Sequence, residues 1–110
     1  MYYQTNLFQT SIPEAGKEIF TSLFSDNRIK IESIRSHLNE PGEWYDQTDD
    51  EWVVLLEGEA LIEIEEKTLT LSRGDTLFLP QHTLHRVVKT SDDALWLTVF
   101  VTTGSETVNS

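Results

Sequence analysis

Turn signals interrupt this chain roughly every eight to twelve residues, and no apolar pattern between them is long enough to sustain a packed helix. That punctuation constrains the fold more than any other feature. From Trp44 to Arg86 the apolar residues come in short runs, and Gly58, Gly74 and Pro80 stand where runs end. A chain written this way predicts an all-β domain, a sandwich or small barrel of antiparallel strands with little helix.

Taken in order, residues 1–16 carry Leu7, Phe8 and Ile12 and close on Pro13-Glu14-Ala15-Gly16, so they read as an extended arm. Lys17 to Phe24 fits either period, because Ile19, Phe20, Leu23 and Phe24 have helical spacing. Its short length and the following Ser25-Asp26-Asn27 turn favour a strand. Ile29, Ile31 and Ile34, with Lys30 and Glu32 between them, predict a half-buried strand, and Leu38 to Glu43 a loop. Everything before Trp44 reads as framing strands.

The run Glu51 to Glu57 is apolar on both faces, with Trp52, Val54 and Leu56 on one and Val53 and Leu55 on the other. Such a strand must be covered on both sides, by the barrel interior and by a second layer or partner subunit. Further strands are expected at 60–65, 68–71, 77–79, 84–88 and 95–101. Turns are expected at Glu66-Lys67 and at Ser72 to Asp75. Residues 102–110 are polar and expected to fray. The whole of 1–110 reads as one domain without internal repeat.

Composition removes several function classes. Nineteen acidic against eight basic residues, a net charge of −11, argue against nucleic acid and membrane surfaces as partners. The absence of Cys removes disulfides, thiolate metal sites and Cys nucleophiles, and fits a cytoplasmic setting. The first residues lack the basic-then-apolar order of a secretory signal, and no run approaches membrane-spanning length. No phosphate-binding Gly-rich loop, serine nucleophile elbow or zinc-protease helix is present.

Glu51 and Gly58 with six residues between them, Gly74 and Pro80 with five, and then His85 resemble in order and spacing the two sequence motifs of the cupins. The likeness covers about Tyr45 to Val101 and is nearest to the small one-domain members. It implies a jelly-roll β-barrel, often metal-dependent, with dioxygenation, isomerisation or decarboxylation as reaction classes. Aligned on Glu51, the two His usual in the first motif fall on Tyr45 and Gln47, or on Trp44 and Asp46 if the loop is one residue longer. In the second motif His82 replaces the usual Gly, and the final His is kept as His85.

Glu51 shares parity with Val53 and Leu55, and a carboxylate on that face is costly unless paired, hydrogen-bonded or bound to a cation. His85 shares parity with Val87. With the resemblance, Gln47, Glu51 and His85 are expected to converge inside the barrel as ligands of a divalent metal (Mn, Fe, Ni or Zn). Tyr45 and His82 are expected to line the pocket near its mouth. An amide oxygen is a weaker donor than imidazole, so the site should favour late transition metals less than a full His set would. The competing readings are a non-catalytic module holding a neutral or cationic small molecule, and a structural dimer with a metal-free polar interior. The sequence does not decide whether the protein is an enzyme. The doubly apolar run at 52–56 and three Trp predict a homodimer. Trp44, Trp52 and Trp96 read as core or interface residues, and His37 as a surface residue.

Overall fold

The computed structural model describes residues 2–103. Eight strands follow one another: β1 (Lys17–Ser25), β2 (Ile29–His37), β3 (Asp50–Glu57), β4 (Ala60–Ile64), β5 (Lys67–Leu71), β6 (Thr76–Leu79), β7 (His85–Thr90) and β8 (Ala94–Val101). They form two antiparallel sheets, one of five strands in the order β1-β2-β8-β3-β6 and one of three in the order β5-β4-β7. The closing strand β8 thus lies between β2 and β3, and the polypeptide crosses repeatedly from one sheet to the other, as in a jelly roll. Among the described residues there is no helix long and apolar enough to cross a membrane.

The both-faced apolar run works as its pattern requires. Val53 and Leu55 of β3 point inward and join Ala60, Ile62, Leu71 and Trp96 in one core cluster that ties the two sheets together. On the opposite face Val54 is buried, but Trp52 keeps 40% of its surface exposed. Trp52 belongs to a row in cross-strand register across the whole large sheet, Phe78–Trp52–Val99–Ile31–Phe24. The row carries no charge, and Phe78 at one end is 60% exposed.

Lys17–Ser25 is a strand, paired along its length with β2. The hairpin between β4 and β5 turns one residue earlier than expected, at Glu65-Glu66, because Glu65 takes a left-handed conformation (φ 55°) without being Gly. Residues 2–16 form no strand. They are held to their own chain by Arg35, a buried guanidinium on the outer face of β2. Arg35 donates to the Thr10 hydroxyl (2.8 Å), the Phe8 carbonyl (3.2 Å), the Asp93 carbonyl (2.9 Å) and the Glu57 carboxylate (2.7 Å). Residues 104–110 of the expected frayed tail lie outside the described residues.

Candidate functional site

Between the sheets lies a cavity of about 310 Å³. The inward faces of β1, β2, β3, β6 and β8 form one wall, and β4, β7 and the loop before β3 form the other. Glu51, the second residue of β3, points into it with 8% of its surface exposed. Both of its oxygens are engaged. Oε2 accepts from the Thr98 hydroxyl at 2.7 Å, and Oε1 accepts from the Gln47 side-chain amide at 2.8 Å. A carboxylate only accepts, so it is the nitrogen of Gln47 that faces Glu51. In this arrangement Gln47 supports the carboxylate.

His85 opens β7 and is also 8% exposed. Its backbone bridges Tyr45 in both directions (2.7 and 3.1 Å), and the two rings stack with centroids 5.7 Å apart. Its Nδ1 lies 2.7 Å from the Thr83 carbonyl. A carbonyl only accepts, so Nδ1 donates to it, and Nε2 is the ring nitrogen turned toward Glu51 Oε1. That separation is 3.6 Å, beyond hydrogen-bond length. The gap between the buried carboxylate and the imidazole leaves room for a small group or a cation between them.

Burial first, and then the carboxylates of Glu18, Glu43, Glu51 and Glu32, raise the Tyr45 phenol above its ordinary value. Tyr45 therefore keeps its proton at neutral pH. The folded chain binds this proton more tightly than the unfolded chain. Its contribution to stability is therefore present below about pH 10, the ordinary tyrosine value, and is lost as pH rises through the raised one. Denaturant unfolding measured at rising pH above 10 should show stability falling less steeply in Tyr45→Phe than in the wild type. Equal slopes would mean the phenol is not perturbed.

Tyr45, Gln47, Glu51 and His85 all line the one cavity. His82, expected to line the pocket near its mouth, is not among the lining residues. Its backbone is left-handed (φ 62°), its ring turns to Asp46 Oδ1 at 2.7 Å, and both side chains are 61% exposed. Asp46, paired in this way, is not among the lining residues, whereas Gln47 is. Trp44 lies under the Arg86 guanidinium (4.5 Å), whereas Trp96 is buried and lines the cavity.

Sequence reasoning missed Thr98, the partner of Glu51. Its signal was present: it is the one polar residue of β8, at the same parity as Trp96 and Phe100. It also missed Glu18, Lys30 and Glu32, lining residues contributed by the framing strands.

As a metal cage the set is incomplete. Among the described residues no three His, Cys, Asp or Glu side chains come together as a possible metal-holding group. Glu51 and His85 supply two good donors, and the third member turns an N–H toward its neighbour.

The chain belongs to the cupin domain family, whose pattern matches residues 37–101. No curated protein matches it. Among solved structures, a candidate mannose-6-phosphate isomerase from Ralstonia eutropha is 34% identical, with a TM-score of 0.81 over 92% of this chain and 99% of that one. A cupin superfamily protein from Desulfitobacterium hafniense is 18% identical, with a TM-score of 0.79 over 93% of each chain. KdgF from a Halomonas species is 20% identical, with a TM-score of 0.70 over 76% of this chain and 77% of that one. The last two likenesses show the fold alone.

Proposed function

We propose that the barrel is a binding site for a small organic molecule, whose polar end is read by Glu51, Gln47 and His85 while apolar walls hold the remainder. The observation that carries this is the unpartnered Nε2 of His85 facing Glu51 inside a cavity of about 310 Å³, where a purely structural core would be close-packed. The 34% identical relative is a candidate sugar-phosphate isomerase, but a phosphate calls for several cationic donors. The lining here offers Lys30 alone, against Glu18, Glu32, Glu43 and Glu51. Binding, with no reaction assigned, is therefore the better-supported reading. A screen of small polar organics by ¹⁵N–¹H NMR should move the Trp96 indole and the Gln47 side-chain amide together. Glu51→Gln should weaken the hits by about tenfold or more, since hydrogen bonds to a charged group are the stronger ones. Shifts confined to other surfaces would overturn the reading.

One observation favours a divalent ion as a second reading. The 3.6 Å between His85 Nε2 and Glu51 Oε1 is close to the separation of two donors each about 2.1 Å from a common ion at a roughly tetrahedral angle. Such an ion would be held by Glu51 and His85, with Gln47 as a weak third donor once its amide turned over, and would act there as a Lewis acid. Calorimetric titration with Mn²⁺, Zn²⁺ and Ni²⁺ would show saturable binding that Glu51→Ala abolishes. Gln47→His would strengthen Zn²⁺ and Ni²⁺ binding on the order of tenfold, imidazole being the better donor. Absence of saturable binding in the wild type would remove this reading and leave the first untouched.

The uncharged row from Phe78 to Phe24 is the face through which we propose that the chain meets a second copy of itself.

A further inference from the structure

The geometry points to an organic cation, an amine or quaternary ammonium, as the class of molecule the cavity takes. This rests on the barrel being a small-molecule site and concerns what its walls select. Four carboxylates line the cavity, Glu51 on the floor and Glu18, Glu32 and Glu43 elsewhere on the lining, against the single ammonium of Lys30. Among the described residues none of Glu18, Glu32 and Glu43 takes part in an ion pair. Glu18 accepts a hydrogen bond from the Ser36 hydroxyl, and neither Glu32 nor Glu43 has a side-chain partner among the described residues.

The acidic lining is not the only sign. His85, more than nine-tenths buried, turns a ring nitrogen without a hydrogen-bond partner into the same space, 3.6 Å from the Glu51 carboxylate. A buried carboxylate at one end of a cavity suits a ligand that brings a donor there, as an amine N–H or the hydroxyl of choline does. The aromatic residues Phe20, Tyr45, Trp96 and Phe100 also line the cavity. An ammonium already rests on this wall: Lys30 Nζ stands 4.5 Å above the Phe100 ring. Aromatic faces with carboxylates around them are the recognised means of holding an alkylated ammonium. Carboxylates in a cleft with low-dielectric walls also focus a negative potential that draws cations in and repels anions. The Tyr45 phenol on this lining is raised first by burial and then by the same four carboxylates.

Three probes test this on the full chain: choline, its uncharged carbon isostere 3,3-dimethylbutan-1-ol, and the anion mannose 6-phosphate. Each is titrated while the Trp96 indole resonance is followed. Choline should bind about tenfold or more tightly than the isostere, the margin expected of one desolvated cation–π and carboxylate contact, and mannose 6-phosphate should give no saturable shift. The double variant Glu32→Gln/Glu43→Gln removes charge while keeping shape. It should lose about tenfold or more of the choline affinity, bring it to the level of the isostere, and leave the unfolding midpoint unchanged. If choline and the isostere bind alike, or mannose 6-phosphate binds more tightly than either, the cation inference falls while the small-molecule reading stands. If none of the three moves the Trp96 resonance, both fall.

Discussion

Gly58→Ala is expected to destabilise the fold by about 3 kcal/mol or more, the sum of two separate penalties. Gly58 carries the chain out of β3 with φ +83°, a conformation that costs an L-residue about 1–2 kcal/mol. A Cβ there would also lie 2.9 Å from the Ala94 Cα and 2.9 Å from the Asp93 Oδ1, and would collide with the Ser91 hydroxyl. The serine can rotate, but the backbone at the start of β8 cannot withdraw without disturbing the core around Leu95 and Trp96. Overpacking of that kind costs about 1–3 kcal/mol. Gly74 separates the two effects, because it too has positive φ (+94°) but nothing lies within 4 Å of its would-be Cβ. Gly74→Ala should cost only about 1 kcal/mol. In a domain of this size the pair should differ by roughly 10 °C in melting temperature. Equal losses in thermal unfolding would show that the close approach at Gly58 does not matter.

The second large effect is on assembly. Phe78, Trp52, Val99, Ile31 and Phe24 form an uncharged row across all five strands of the large sheet. Phe78 and Phe24, at its ends, are more than half exposed, and Trp52 is 40% exposed. For a chain of net charge −11, approach of a second copy is opposed everywhere except at a face without charge. A single face that is its own complement is what a two-fold dimer requires. Light scattering at micromolar concentration should therefore give twice the 12.7 kDa chain mass. The double variant Trp52→Glu/Phe78→Glu should give the single mass with an unchanged circular dichroism spectrum. Two buried like charges on each side should weaken association by about a hundredfold or more. A wild type that scatters as a single chain would overturn the proposal.

The sequence carried the strand pattern because successive side chains of a strand face opposite sides of the sheet. Glu51, Val53 and Leu55 all lie on the inward face, as their parity requires. The spacing from Glu51 to Gly58 was readable because each residue answers to a local demand: a carboxylate at the inward start of a strand, and a left-handed exit at its end. Lys17 to Phe24 was ambiguous because the strand is weakly buried on either face, so neither period dominates its pattern. Glu65 gave no signal at all, since it adopts a glycine-like conformation that its side chain does not advertise.

Half the site was hidden for a topological reason. Glu18, Lys30 and Glu32 reach the cavity because β8 pairs with β2 on one side and β3 on the other, and no local pattern announces that order. His82 was expected near the mouth from its place three residues before His85, but in its left-handed turn the ring is directed to the exposed Asp46 instead.

The loops that carry the site residues are fastened to each other through peptide groups. Tyr45 and His85 exchange backbone hydrogen bonds, and the His82 amide donates to the Gln47 carbonyl at 2.6 Å. The Gln81 amide is capped by the Asp50 carboxylate at 2.9 Å. The first three of these links do not depend on which side chains stand at 45, 47 or 85. A lineage can therefore exchange one chemical group for another at those positions without passing through an unfolded ancestor. Glutamine and histidine codons differ by a single base, so position 47 lies one mutational step from an imidazole. The barrel mouth is thus a place where selection can rewrite ligand preference while heredity of the fold is left undisturbed.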